Sequence, residues 1–128
     1  MNLFTKAQRE KLLANGRDRD QDHPPVVKLF TPDAGCTWLL SEIDPEEPDL
    51  AFGLCDLGLG CPELGSVSLT EISALRGRLR LPVERDLHFV AEHPMSVYAE
   101  AARQSEEITT DPQSLLQAKA ALAARRAS

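Results

Sequence analysis

Apolar positions along this chain fall into blocks, and the spacing within each block predicts an element. Ala7, Leu12 and Leu13 make a thin helical stripe among Lys6, Arg9, Glu10 and Lys11. Thr5 and Gln8 have capping-box spacing before it, and Gly16 stands where a left-handed stop would fall, so residues 5–15 read as a helix. Val26 to Thr31 is rich in β-formers and Cys36 to Ile43 reads as its returning partner. Thr31-Pro32-Asp33-Ala34-Gly35 between them is a turn: Pro presets φ, Asp bonds its own backbone and Gly accepts positive φ. Leu50 to Leu57 reads as a third strand, which gives an antiparallel meander.

The pattern then changes. Gly58 to Gly65 is punctuated by glycine and reads as a loop. Ser68 and Glu71 repeat the capping spacing, which predicts a short helix over 69–76 stopped at Gly77. A further strand is expected over roughly 84–90, by its position after Pro82. Pro94 opens a helix through Arg103 with Val97, Tyr98, Ala101 and Ala102 on its apolar side. Asp111-Pro112 supplies a cap and a first-turn proline for a last helix over 112–126, with Leu115, Leu116, Leu122 and Ala123 at helical spacing. Lys119, Arg125 and Arg126 lie toward its C-terminal end, where the helix dipole favours positive charge. The expected fold is α+β: a small, mainly antiparallel sheet of four or five strands, about three packed helices and a C-terminal helical appendix. Residues 1–104 form the expected domain and 105–128 the extension.

Charge sharpens this picture. Between Leu29 and Leu75 there is no Lys, Arg or His, yet the stretch carries nine acids: Asp33, Glu42, Asp44, Glu46, Glu47, Asp49, Asp56, Glu63 and Glu71. The whole chain carries −6. A one-sign field repels nucleic acid and attracts basic surfaces, so a generic duplex-DNA binder is not expected. Asp44-Pro45-Glu46-Glu47-Pro48-Asp49 is an exposed acidic loop, because two prolines remove donors and four acids repel one another. No apolar run approaches the roughly 18–20 residues of a spanning helix. The opening residues lack a signal-peptide core, and three cysteines are an odd number, so a reducing, cytoplasmic setting is expected.

Two stretches carry a family resemblance. Residues Pro25 to Gly35 with Thr37 to Pro45, and Ala51 to Gly60 with Pro62 to Leu69, resemble a family of small bacterial proteins catalogued only as a domain of unknown function. The resemblance covers roughly residues 3–102. Members are often encoded on plasmids, phages and integrative elements, near antirestriction and replication genes. The resemblance implies a mobile-element setting and supplies no catalytic residue.

Candidate chemistry follows from these features. The acidic face, taken as Glu42, Asp44, Glu46, Glu47, Asp49, Asp56 and Glu63, is the expected interaction surface. It would meet a basic protein, such as a host nuclease or a defence complex, through a general acidic contact or by imitating spaced phosphate charge. The expected role is thus a non-enzymatic accessory protein. A small hydrolase using Asp56 and Glu63 is the alternative, and it would need burial or charge coupling to shift a carboxylate pKa. A nucleic-acid accessory protein using the cluster Arg76, Arg78, Arg80 and Arg85 is a third reading. Cys36, Cys55 and Cys61 with His23, His88 and His93 lack the paired spacing of a zinc site. The acidic loop lacks the twelve-residue EF-hand pattern. No metal or cofactor is expected.

Overall fold

Residues 3–127 are described by a computed structural model. Helix α1 (Lys6–Gly16) begins as its sequence dictates: the Thr5 side chain accepts from the Gln8 N–H at 3.1 Å, and Gln8 Oε1 accepts from the Thr5 N–H at 2.9 Å. Strands β1 (Val27–Phe30), β2 (Thr37–Ile43), β3 (Leu50–Asp56) and β4 (Glu63–Ser68) follow, then α2 (Leu69–Ala74), β5 (Glu84–Arg85), α3 (Met95–Ser105) and α4 (Pro112–Ala127). All five strands join one antiparallel sheet in the order β4-β3-β2-β1-β5. Among the described residues the fold is α+β with a five-stranded sheet and four helices, the last of them α4.

The sheet divides two cores. Trp38 and Leu40 of β2 join Val27, Leu29, Leu12, Ile72 and Val83 on the α1–α2 side. Leu39 and Leu54, partners across β2 and β3, face Met95, Tyr98, Ala101, Leu115 and Ala118 on the α3–α4 side. Strand alternation alone would put Ile43 beside Leu39. A register shift between Leu40 and Glu42 inserts one residue and returns Ile43 to the α1 side. The end of α1 docks on that bulge: Asn15, buried, donates its side-chain amide to the Ser41 carbonyl at 2.9 Å.

Three expectations need correction. Gly16 is not a left-handed stop. It is the last helical residue, buried, and the αR residue Arg17 follows it. Glu63 to Ser68, read partly as loop, is strand β4; Gly65 and two serines weaken its β signal, and pairing with β3 supplies what propensity lacks. The strand expected over 84–90 is only Glu84–Arg85, because Asp86 to His88 turn away, with Asp86 Oδ1 accepting from the His88 N–H at 2.9 Å.

Candidate interaction surface

The register separates the candidate acids into two groups. Glu42, Asp44, Glu46, Glu47 and Asp49 lie around the β2–β3 turn, at the end of the sheet where β3 begins. Asp56 closes β3, and Glu63 opposes Cys55 at the start of β4. Six residue steps along β3 separate Asp49 from Cys55, roughly 20 Å at strand rise. The seven residues therefore do not make one patch.

Within the first group the fold uses some acids internally. Asp44 Oδ1 accepts from the Glu46 N–H at 2.9 Å, and the Glu47 carbonyl accepts from the Leu50 N–H at 2.9 Å, so the loop is a built turn. Asp49 holds the start of α2. Its carboxylate accepts from the Ser68 hydroxyl at 2.7 Å, the Thr70 N–H at 2.9 Å and the Thr70 hydroxyl at 2.6 Å. Those bonds, led by the Thr70 hydroxyl, hold its pKa below the ordinary aspartate value. Glu42 is half-buried, and burial pushes its pKa up against the opposing charges of His23 and Arg19. It lines a shallow cleft with Arg19, Asp44, Phe52 and Ser66. Glu46 and Glu47 remain exposed at the tip.

The second group is different again. Asp56 is buried, and both its oxygens accept backbone N–H groups: Gly58 at 2.8 Å and Ile108 at 3.0 Å. Glu63 is exposed. A catalytic acid–base carboxylate must reach its substrate, and here Asp56 is buried as a tether between β3 and the segment before α4.

The arginines also divide. Arg76 Nη1 donates to the Ser73 and Leu75 carbonyls at 3.0 and 2.7 Å, closing the C-terminal end of α2. Arg78 and Arg80 are exposed, and Arg80 has φ +60. Their loop is pinned by Asp33, whose Oδ2 accepts from the Leu79 N–H at 2.6 Å, while Oδ1 is buried without a partner. Arg85 pairs through β5 with Leu29. Asp33 and Asp56 reach amides 46 and 52 positions away, partnerships that no local spacing announces.

Sequence reading also missed the most strongly perturbed carboxylate. Glu100 on α3 is buried and meets Arg125 of α4 at 2.5 Å, Arg103 at 2.5 Å and Gln104 at 2.8 Å. Hydrogen bonds from Arg103 first, then from Arg125 and Gln104, lower its pKa to about 2 against the cost of burial. The i,i+3 spacing of Glu100 and Arg103 was the one available signal.

Cys36 and Cys55 are half-buried thiols and Cys61 is exposed; burial raises the pKa of Cys55. Among the described residues no group of three or more His, Cys, Asp or Glu could hold a metal ion. Among them too, no helix is long and apolar enough to cross a membrane.

Fold and surface define a small α+β protein with an ordered acidic turn at one end of its sheet. The chain belongs to the DUF2958 family, described as proteins of unknown function, whose model matches residues 3–109. No curated protein and no solved structure matches it.

Proposed function

We propose that this chain is a non-enzymatic accessory protein of a mobile genetic element, and that it binds a basic protein partner through the acidic turn between β2 and β3. A host nuclease or defence complex is the partner class whose basic groove suits that charge. The observation that carries the reading is the division of labour within the turn. Asp44 and Asp49 hold its shape, and Glu46 and Glu47 are left exposed on a backbone already fixed. Preorganised charge steers encounter without an ordering cost on binding. Asp56 belongs to the fold on this reading, and nothing in its geometry favours the hydrolase alternative.

The test is affinity capture from host lysate at low and moderate salt, comparing wild type with Glu46→Gln/Glu47→Gln. Asp49 is kept, because its loss would disturb α2. A basic protein held by wild type, weakened by salt and lost in the variant supports the proposal. Equal capture by both proteins removes it.

A second reading rests on the loop pinned by Asp33, which exposes Arg78 and Arg80 beside Leu79. It would serve a single-stranded nucleic acid, with steep salt dependence. Absence of binding to oligonucleotides at low salt would remove it.

A further inference from the structure

The sheet ends in two unlike edges. β5 has two residues, whereas β4 has six and, among the described residues, pairs only with β3. Long edge strands are commonly blunted by Lys, Pro or a bulge. Glu63-Leu64-Gly65-Ser66-Val67-Ser68 has neither Lys nor Pro, its one charge stands at its first residue, and its register with β3 runs without a shift.

The direction of each backbone group on β4 follows from that register. The Leu69 N–H donates to the Asp49 carbonyl at 2.8 Å, and the two residues are opposed in the β3–β4 register. In an antiparallel ladder the bonded pairs alternate. Residues 63, 65 and 67 therefore turn their N–H and C=O groups to β3, and Leu64 and Ser66 turn theirs outward. The other side of β3 agrees: the Asp44 N–H donates to the Leu50 carbonyl at 2.9 Å, so even-numbered β3 residues bond β2 and odd-numbered ones bond β4.

We infer that β4 is the dimerisation edge of this protein, pairing antiparallel with β4 of a second copy about a two-fold axis at Gly65. In that register Leu64 faces Ser66 of the other copy, and Ser66 faces Leu64. All four outward groups of Leu64 and Ser66 on each strand are then used, giving four hydrogen bonds. Gly65 meets its own symmetry mate in the non-bonded position, where Cα atoms approach to about 4.5 Å. Glu63 falls opposite Val67, so no like charges are directly opposed. Leu64, 47% exposed at the end of the Leu39–Leu54 row, gains the diagonal neighbour Leu64 of the second copy. The strand thus matches itself in hydrogen bonding and apolar surface, and it directly opposes no like charges. The pairing uses no residue of the acidic turn.

The chain supplies its own discriminating variants. Ser66→Pro removes an outward N–H and spares every bond to β3, since proline is tolerated at such edge positions. Gly65→Lys sets two like charges face to face in the dimer, whereas in the single copy a Cβ at Gly65 meets nothing within 4 Å. Ser66→Ala keeps the backbone and serves as control. Sedimentation and light scattering of the full chain, from micromolar to several hundred micromolar, should show a dimer for wild type and Ser66→Ala. Ser66→Pro and Gly65→Lys should weaken association about tenfold or more. Circular dichroism checks folding, and should Ser66→Pro unfold, Gly65→Lys decides. A positive test of register is Gly65→Cys in a Cys61→Ser background, which should form an intermolecular disulfide on mild oxidation, as the Cα spacing allows. A wild type that stays monomeric throughout overturns the inference. So does a dimer indifferent to Gly65→Lys, or one in which Gly65→Cys fails to cross-link. Salt separates this contact from the acidic turn: screening should strengthen pairing of two chains of charge −6 and weaken a basic partner's hold on Glu46 and Glu47.

Discussion

Gly16 and Ile43 meet backbone to backbone. A Cβ on Gly16 would lie 1.9 Å from the Ile43 carbonyl oxygen, far inside contact distance. The neighbour is main chain held in the sheet, so it cannot swing aside. Gly16→Ala should therefore destabilise the protein by about 2–3 kcal/mol, with overpacking outweighing the gain in helix propensity of about 1 kcal/mol. Chemical denaturation measures it, and a neutral or stabilising result would sink this account.

One residue earlier, Asn15 satisfies the Ser41 carbonyl at the bulge. Asn15→Ala should cost about 1–3 kcal/mol, the penalty of leaving a buried acceptor unpaired. Asn15→Asp, whose carboxylate cannot donate, should do no better. Recovery of full stability by Asp would show that the amide hydrogen bond is not the cause.

Asp56 tethers two backbone amides that no other described group satisfies. Asp56→Ala should cost about 2–4 kcal/mol through two lost charge-assisted bonds. Hydrogen exchange should rise at Gly58 and Ile108 before it rises elsewhere. If exchange at Ile108 stays unchanged, the tether has no weight.

Glu100 sets a pH window. Its pKa falls from 4.5 in the unfolded chain to about 2 in the folded one, so the unfolded state binds its proton first. The stabilisation is fully present above about 4.5 and is lost as pH falls toward 2. Glu100→Gln should flatten the acid limb of the stability curve, as read from melting temperatures across that range. Arg125→Ala should reproduce part of the effect and loosen α4. An acid limb unchanged in Glu100→Gln would assign it to other carboxylates. Asp49 has the same sign, its pKa lying below the ordinary 3.8, and Asp49→Asn should speed exchange at the first amides of α2.

Local signals were readable along the chain and distant partnerships were not. The capping box at Thr5, the hairpin of β1 and β2 and the helices after Pro94 and Pro112 declare themselves within a few residues. β4 does not, because an edge strand built from Gly65, Ser66 and Ser68 draws its conformation from β3. The acids show the same limit. Composition marks the 44–49 loop as acidic and exposed, and Glu46 and Glu47 are so. It cannot tell that Asp49 is spent on Thr70, or that Asp56 reaches Ile108, since such pairings exist only after the chain has closed on itself.

The placement of the two cores has a temporal consequence. The core beneath α1 and α2 draws on Leu3 to Val83 and needs nothing later, while the opposite core waits for residues from Met95 onward. The four long strands neighbour one another in chain order, so no early strand is held open for a late one to enter. A chain emerging from the ribosome amino end first can thus seal one side of its sheet while the other is bare. In that interval the Leu39 and Leu54 side of the sheet is the nascent protein's most adhesive surface, and α3 is the first segment able to cover it.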